Sequence, residues 1–378
     1  MTRIAYGTNA LAGRTLAETE SALATHVAAA REALGFERLA IGLWLPASVL
    51  AELPDRDATR RFRDRLAALG LETLTLNGFP YGDFHQEIVK LEVYEPSWAR
   101  PERLAYTRRL AETLVDLVPD GTTDASISTL PIGWRPKFTN EGCGSSVGLA
   151  TAQLESLATE LARIEERTGT RVHVDLEPEP GCVLDRAEHV VELFDRALRP
   201  TASLDPRRYL GVCHDVCHSA VMFEEQADAI RLYREAGLAI GKVQVSSAVE
   251  TRLDDAAQRA ALAEFVERRY LHQTTVRNGE APVAYDDLPA ALASAPRGLA
   301  RTHFHVPIDL DAIGPLRTTQ DAIAACLAAL GERPPVLEIE TYAWSVLPAA
   351  LRPARLADGI AREIRWLDTI ASWRRSPP

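Results

Sequence analysis

The stretch HVDLEPEPG, residues 173–181, sets Asp175, Glu177 and Glu179 at every second position and is then broken by Pro178, Pro180 and Gly181. Three other short motifs share its character, an apolar run that closes on one oxygen donor: YLGVCHDVCH with Asp215, AIGKVQVSS with Gln244 and VLEIETY with Glu340. Three carboxylates and an amide oxygen gathered in one place need a cation among them. Oxygen ligands suit a hard or borderline divalent ion such as Mg2+, Mn2+ or Co2+ and disfavour structural Zn2+. Any one of these acids alone is more simply a helix cap or the partner of an arginine. The four together, at equivalent ends of four apolar runs, point instead to a metal site of Glu177, Asp215, Gln244 and Glu340.

Histidines extend the set. His218 stands one helical turn after Asp215 in DVCH, placed to reach a metal or a bound hydroxyl. His303 and His305 alternate in THFHVP and share a face, so both are predicted to approach a ligand or the metal from one segment. His214 has the opposite parity to Asp215 and is read as structural. Asn77 in LNGFPYGDFH and Trp134 in TLPIGWRP follow predicted strands and are read as pocket residues.

Strand parity tests the grouping, because residues two apart share a face. Inward Glu177 implies inward Asp175 and His173, inward Gln244 implies inward Lys242, and inward Glu340 implies inward Glu338. The alternate positions, Val172, Val174, Leu176, Val243, Val245, Leu337 and Ile339, are all apolar, as an outward face packed under helices requires. A lower layer of Asp175, Lys242 and Glu338 follows. A lysine between acids offsets charges too costly to bury alone, so Lys242 is predicted to contact at least one of them. Glu179, past the strand, carries the weakest functional claim.

The elements that position these residues are eight apolar runs, at 3–8, 38–45, 71–78, 124–130, 171–177, 209–215, 239–247 and 336–342, alternating with amphipathic segments. That pattern predicts a (β/α)8 TIM barrel, whose chemistry sits at the C-terminal ends of the strands. An open doubly wound sheet is the alternative, but YGTNALAG after the first strand lacks the glycine fingerprint of a dinucleotide fold. Thr15 with Glu18 reads as a capping box, Thr318 with Asp321 as a weaker one, and Gly169 as the C-cap of a helix carrying Leu154, Leu157, Leu161 and Ile164. The glycine-rich EGCGSSVG (141–148) is more simply a turn than a phosphate cradle. One domain over 1–378 is expected, with an insertion of about 248–315 before the last barrel strand; its extended part, RTHFHVPIDLDAIGP, is expected over the mouth.

Composition narrows the partner. With 53 acidic against 42 basic residues the net charge is −11, which disfavours binding through nucleic-acid phosphates. The 46% apolar content suits a globular chain. Five cysteines without a CxxC pair, no signal-like start and no apolar run long enough for a bilayer lead to the expectation of a cytoplasmic protein without membrane insertion. A small molecule is the expected partner, and self-association is left open.

Glu-Pro on the fifth strand, Asp-x-x-His on the sixth, Gln on the seventh and Glu on the eighth together resemble the xylose-isomerase-like barrel superfamily, which holds sugar isomerases, ketose 3-epimerases and endonuclease IV. More narrowly, TLNGFPYGDFH, SISTLPIGW, LEPEPGC and THFHVP are similar to the EboE metabolite-traffic family. The superfamily resemblance implies that Glu177, Asp215, Gln244 and Glu340 hold a divalent metal and that Glu177 and Glu340 serve as an acid/base pair on opposite faces of an enediolate. His218 would then position a substrate hydroxyl. The implied function is a divalent-metal-dependent isomerase or epimerase of a sugar or cyclitol, free or phosphorylated. The EboE likeness implies a second reading, a non-catalytic carrier using the same pocket; a metal-dependent lyase or hydrolase is a third. The nuclease branch needs histidines after strands two and three, where this chain has LWLP and LNGFP, with His85 several residues late.

Overall fold

The computed structural model describes residues 3–138, 146–202, 204–279 and 281–373. Seven strands follow in order, each but the last leading to a helical segment: β1 (Ile4–Gly7), β2 (Leu39–Trp44), β3 (Leu71–Asn77), β4 (Asp124–Thr129), β5 (Arg171–Leu176), β6 (Leu210–Asp215) and β7 (Ile240–Val245). The chain then leaves the barrel to build β8 (Val249–Arg252), β9 (Thr274–Arg277), β10 (Val283–Tyr285), β11 (Leu299–Thr302), β12 (Ala312–Ile313) and β13 (Leu316–Thr318). It returns as β14 (Val336–Ile339), which pairs in parallel with β7 and β1 and closes an eight-stranded parallel cylinder. The protein is a (β/α)8 barrel, and each of its eight barrel strands falls within one of the eight apolar runs.

Parity explains why these runs become strands of this register. Val172, Val174, Leu176, Val243, Val245, Leu337 and Ile339 are buried in the apolar layer beneath the helices. Asp175, Lys242 and Glu338 have no exposed surface. Lys242 Nζ lies 3.1 Å from Glu338 Oε2 and donates to Ser128 Oγ at 3.0 Å. Asp175 is instead paired with His173, whose Nδ1 is 2.9 Å from Oδ1. Two glycines make room for these acids: a Cβ on Gly42 would lie 1.9 Å from Glu338 Oε2, and one on Gly241 would lie 2.3 Å from both oxygens of Asp175.

Helix ends follow the expected signals with two differences. Thr15 Oγ1 accepts from the Glu18 N–H at 3.2 Å, but the Glu18 carboxylate accepts from Arg14 N–H at 2.8 Å, one residue earlier than a full capping box. The helix Ser146–Thr168 buries Leu154, Leu157, Leu161 and Ile164 and stops at Gly169, whose φ of 74° is left-handed. Thr318 is not at the N-cap position, being held in β13 opposite Val249; Thr319 takes that position of Gln320–Leu330, while Thr318 Oγ1 still accepts from Gln320 N–H at 3.3 Å. Residues 141–145 of the glycine-rich EGCGSSVG lie outside the described residues.

Strands β8 to β13 form a second sheet, order β10-β9-β11-β8-β13-β12, with antiparallel pairing throughout. It reaches Thr318, beyond the expected limit of 315. The extended segment of the sequence reading is therefore three things: the end of β11, a run from His303 to Ile308 outside the ladder, and β12. That run is pinned by His303 N–H to Gln273 O at 2.8 Å and Val306 N–H to Ser247 O at 3.0 Å, so it lies across the barrel mouth. The closing helix Leu356–Trp373 supplies Glu363, which accepts from Thr341 Oγ1 (2.6 Å), Ile308 N–H (3.1 Å) and Tyr6 Oη (3.3 Å). Among the described residues no helix is long and apolar enough to cross a membrane.

Candidate functional site

Barrel strands deliver the acids. Glu177 stands just past β5, its N–H bonded to Thr129 O at 3.0 Å across to β4. Asp215 ends β6 and caps the helix Val216–Val221, but only with Oδ1, which accepts from His218 N–H at 2.7 Å and Ser246 Oγ at 2.9 Å. Glu340 follows β14, and its Oε1 accepts from Asn9 Nδ2 at 2.7 Å and Asn77 Nδ2 at 2.9 Å. One ligand atom from each of the three lies within 4.8 Å of the others. Gln244, wholly buried on β7, stands on the strand between those of Asp215 and Glu340.

This donor set fits a divalent cation. Glu177 Oε2, Asp215 Oδ2 and Gln244 Oε1 are buried without a hydrogen-bond partner, a costly state that an ion among them would relieve. Among the described residues no lysine or arginine forms an ion pair with the three acids; only histidines approach them. Burial first, and then the charges of Glu340 and Asp215, push the Glu177 carboxyl well above the usual range. Glu340 is pushed up by burial and then by Asp215 and Glu338. Like charges this close, out of water, ionise together only with a compensating cation.

Three histidines stand beside the acids. His218 Nδ1 is 2.8 Å from Pro178 O, His303 Nδ1 2.7 Å from Gln273 Oε1, and His305 Nδ1 2.7 Å from Glu340 O. The His303 Nε2 lies 3.1 Å from that of His218 and 3.2 Å from that of His305. Burial lowers all three, His218 to about 3 and His305 to about 4, so the rings are neutral. His214 lies apart, its Nε2 2.7 Å from Gln226 Oε1.

Glu177, Glu340, His218, His303 and His305 line a cavity at the mouth, whose wall includes Phe79, Phe84, Tyr94, Tyr270 and Tyr342. Asn77 lines it and steadies Glu340. Trp134 does not line it; the indole stacks behind Tyr94, centroids 5.4 Å apart at 23°.

Glu179, given the weakest claim from sequence, faces the same cavity. Its Oε1 accepts from Tyr94 Oη at 2.8 Å and Gln273 Nε2 at 3.1 Å, and burial raises its carboxyl to about 8. The weak claim rested on its place past the end of the strand, yet Glu179 keeps the parity of Glu177 and still reaches the cavity. Asn9 was missed although it lies in YGTNALAG at a strand's C-terminal end, the place where barrel chemistry gathers. Tyr94, which reaches the cavity from a long connection, and Gln273, which stands behind Glu179 and His303, carried no local signal.

No family model and no curated protein matches the chain. Solved structures do. An L-ribulose 3-epimerase aligns over 99% of this chain and 96% of its own at 14% identity and a TM-score of 0.53. A D-tagatose 3-epimerase-like protein aligns over 99% and 100% at 14% identity and a TM-score of 0.52. A xylose isomerase-like TIM barrel protein from Mycobacterium smegmatis, in complex with magnesium, aligns over 98% and 97% at 13% identity and a TM-score of 0.50. At these identities the likeness establishes a shared fold, the xylose isomerase-like (β/α)8 barrel.

Proposed function

We propose that this protein is a divalent-cation-dependent isomerase or epimerase of a small polyhydroxylated molecule, a sugar or cyclitol. The observation that carries the reading is the pair Glu177 and Glu340. They rise from β5 and β14, three strands apart around an eight-stranded ring and thus nearly across the mouth, with the unpartnered oxygens of Asp215 and Gln244 between them.

Glu177, Asp215, Gln244 and Glu340 would hold the cation, which when bound lowers the cost of negative charge on neighbouring substrate oxygens. The protein's own groups handle the proton. Glu177, whose Oε2 has no donor, takes a proton from the carbon beside a substrate carbonyl, and Glu340 returns one from the other side. Burial makes both carboxylates stronger bases than exposed glutamates. Asn9 and Asn77 hold one oxygen of Glu340 and leave the other to act. Glu179 and Tyr94, held by Gln273 behind them, offer hydroxyl groups a donor and an acceptor at the cavity edge. The aromatic wall limits water. The epimerases that share the fold support this reading by analogy.

The likeness to the EboE metabolite-traffic family rests on segments that build the aromatic wall and the histidine pair. In a carrier of that kind the pocket would hold a metabolite without exchanging its protons. Incubation of the cation-loaded protein with ketoses and cyclitols in D2O separates the two. Deuterium incorporation next to a carbonyl is expected, falling about 10²- to 10⁴-fold in Glu177→Gln and in Glu340→Gln. Tight ligand binding without exchange in any compound would establish the carrier and remove the isomerase.

A further inference from the structure

We propose that His218, His303 and His305 form a second cation site, selective for a nitrogen-preferring divalent ion such as Zn2+ or Co2+, beside the carboxylate site and facing the same Asp215. The proposal does not depend on the carboxylate site being filled.

The hydrogen positions follow from the partners. Nδ1 of His218 and of His305 faces a backbone carbonyl, Pro178 O at 2.8 Å and Glu340 O at 2.7 Å, and a carbonyl oxygen only accepts. Nδ1 of His303 faces Gln273 Oε1 at 2.7 Å. The orientation of that amide is settled independently, because its nitrogen lies 3.1 Å from the Pro180 carbonyl and 3.1 Å from a Glu179 carboxylate oxygen. Each Nδ1 therefore carries the hydrogen of its neutral ring, and each Nε2 presents a bare lone pair.

Those lone pairs meet. The Nε2 of His303 is 3.1 Å from that of His218 and 3.2 Å from that of His305. A hydrogen could fill either gap only if a ring gave up its carbonyl bond or became charged while 4%, 5% and 0% exposed for His303, His218 and His305. A metal ion relieves the conflict without either change. Tetrahedral zinc with bonds of 2.0–2.1 Å sets its ligand nitrogens about 3.3 Å apart, close to the two separations that His303 makes. Imidazoles whose far nitrogen donates to a carbonyl are also the usual way a protein fixes the ring and tautomer of a metal ligand.

A fourth donor is at hand. Asp215 Oδ2 has no partner and lies 4.0 Å from His305 Nε2. Asp215 forms one group with His218 and His305, and another with Glu177 and Glu340, each with ligand atoms within 4.8 Å. A single carboxylate therefore faces both sets. Three imidazoles favour Zn2+ or Co2+ over Mg2+, opposite to the all-oxygen set next door. The second sheet has a purpose on this reading: the end of β11 fixes where His303 and His305 stand.

The test is metal content and ligand type on the full chain, stripped with chelator and reloaded with Co2+ or Zn2+. Wild type is expected to bind two ions per chain. His303→Gln/His305→Gln is expected to bind one and lose the visible absorption of nitrogen-ligated Co2+, while Glu177→Gln/Glu340→Gln binds one and keeps it. One ion in wild type, lost only with the glutamates, would overturn the histidine site and leave the carboxylate reading standing. One ion lost only with the histidines would sustain the site and remove the carboxylate one. A single ion lost in both would overturn two separate sites. If the histidine variant does not fold, zinc-edge X-ray absorption of the wild-type protein decides: three imidazoles on part of the zinc are expected, and no imidazole shell would overturn the proposal.

Discussion

Lys242 has no exposed atom, yet its ammonium is stabilised as a cation. Burial alone would lower its pKa, but the Glu338 carboxylate 3.1 Å away and the acids above outweigh that and raise it. The pair is thus a charged floor under the mouth. Removing one partner leaves a buried charge uncompensated, so Lys242→Met is expected to cost about 3–5 kcal/mol in urea unfolding, and Lys242→Met/Glu338→Leu to recover part of it. A neutral single variant would show that the pair is not ionised. Alternation alone reveals this floor in the sequence, because apolar outward positions leave Asp175, Lys242 and Glu338 only the interior. The specific partner was not legible: Asp175 chose its own neighbour on the strand, His173, over the lysine. Nor could alternation see that three imidazole nitrogens would point at one another, which depends on where a distant sheet ends.

At the scale of elements, one buried acid ties the closing helix to three other parts of the fold. Glu363 joins β1 through Tyr6, the end of β14 through Thr341 and the mouth segment through Ile308. Burial raises its carboxyl to about 8. An unfolded glutamate ionises near about 4.3, so between those values the folded chain holds a proton that the unfolded chain has lost. Its contribution to stability is then greatest below about pH 4 and declines as pH rises, by at most about 1.4 kcal/mol per unit, levelling above about pH 8. Glu363→Gln is expected to remove that slope, so the melting temperature of wild type relative to the variant should fall from about pH 5 to 8; parallel curves would contradict it. Elements themselves were readable where they carry their own pattern. The barrel strands have four to seven residues with apolar outward faces. The second sheet escaped because pieces such as VAY and LART are too short to show alternation, and their register is set only by pairing across the insertion.

At the scale of the whole molecule, the barrel encloses more acid than it can neutralise. Glu177, Asp215 and Glu340 are raised chiefly by burial, so a cation entering among them must displace protons. Added Mn2+ or Co2+ at a hundredfold excess over its dissociation constant is expected to stabilise the fold by about 2.7 kcal/mol per site. At one fixed ion concentration the gain should be larger at pH 8 than at pH 6, since protons compete and weaken binding, and chelator should reverse it. An unchanged melting temperature at both pH values would mean that no cation enters. The whole fold was legible because eight βα units have few ways to close; the substrate was not, because the cavity wall comes from connections with no pattern of their own.

The pairing of Ile4 with Leu337 has a consequence for how the protein comes into being. The cylinder closes only once nearly the whole chain has left the ribosome, and such distant pairing is the slow part of folding. Until then Glu177 and Asp215 lie on an open, wetted sheet, and Glu340, which follows β14, has not arrived. On the proposed reading, ion capture by the carboxylates would mark maturation, and a nascent or truncated chain ending before β14 would lack Glu340 and hold the ion less tightly.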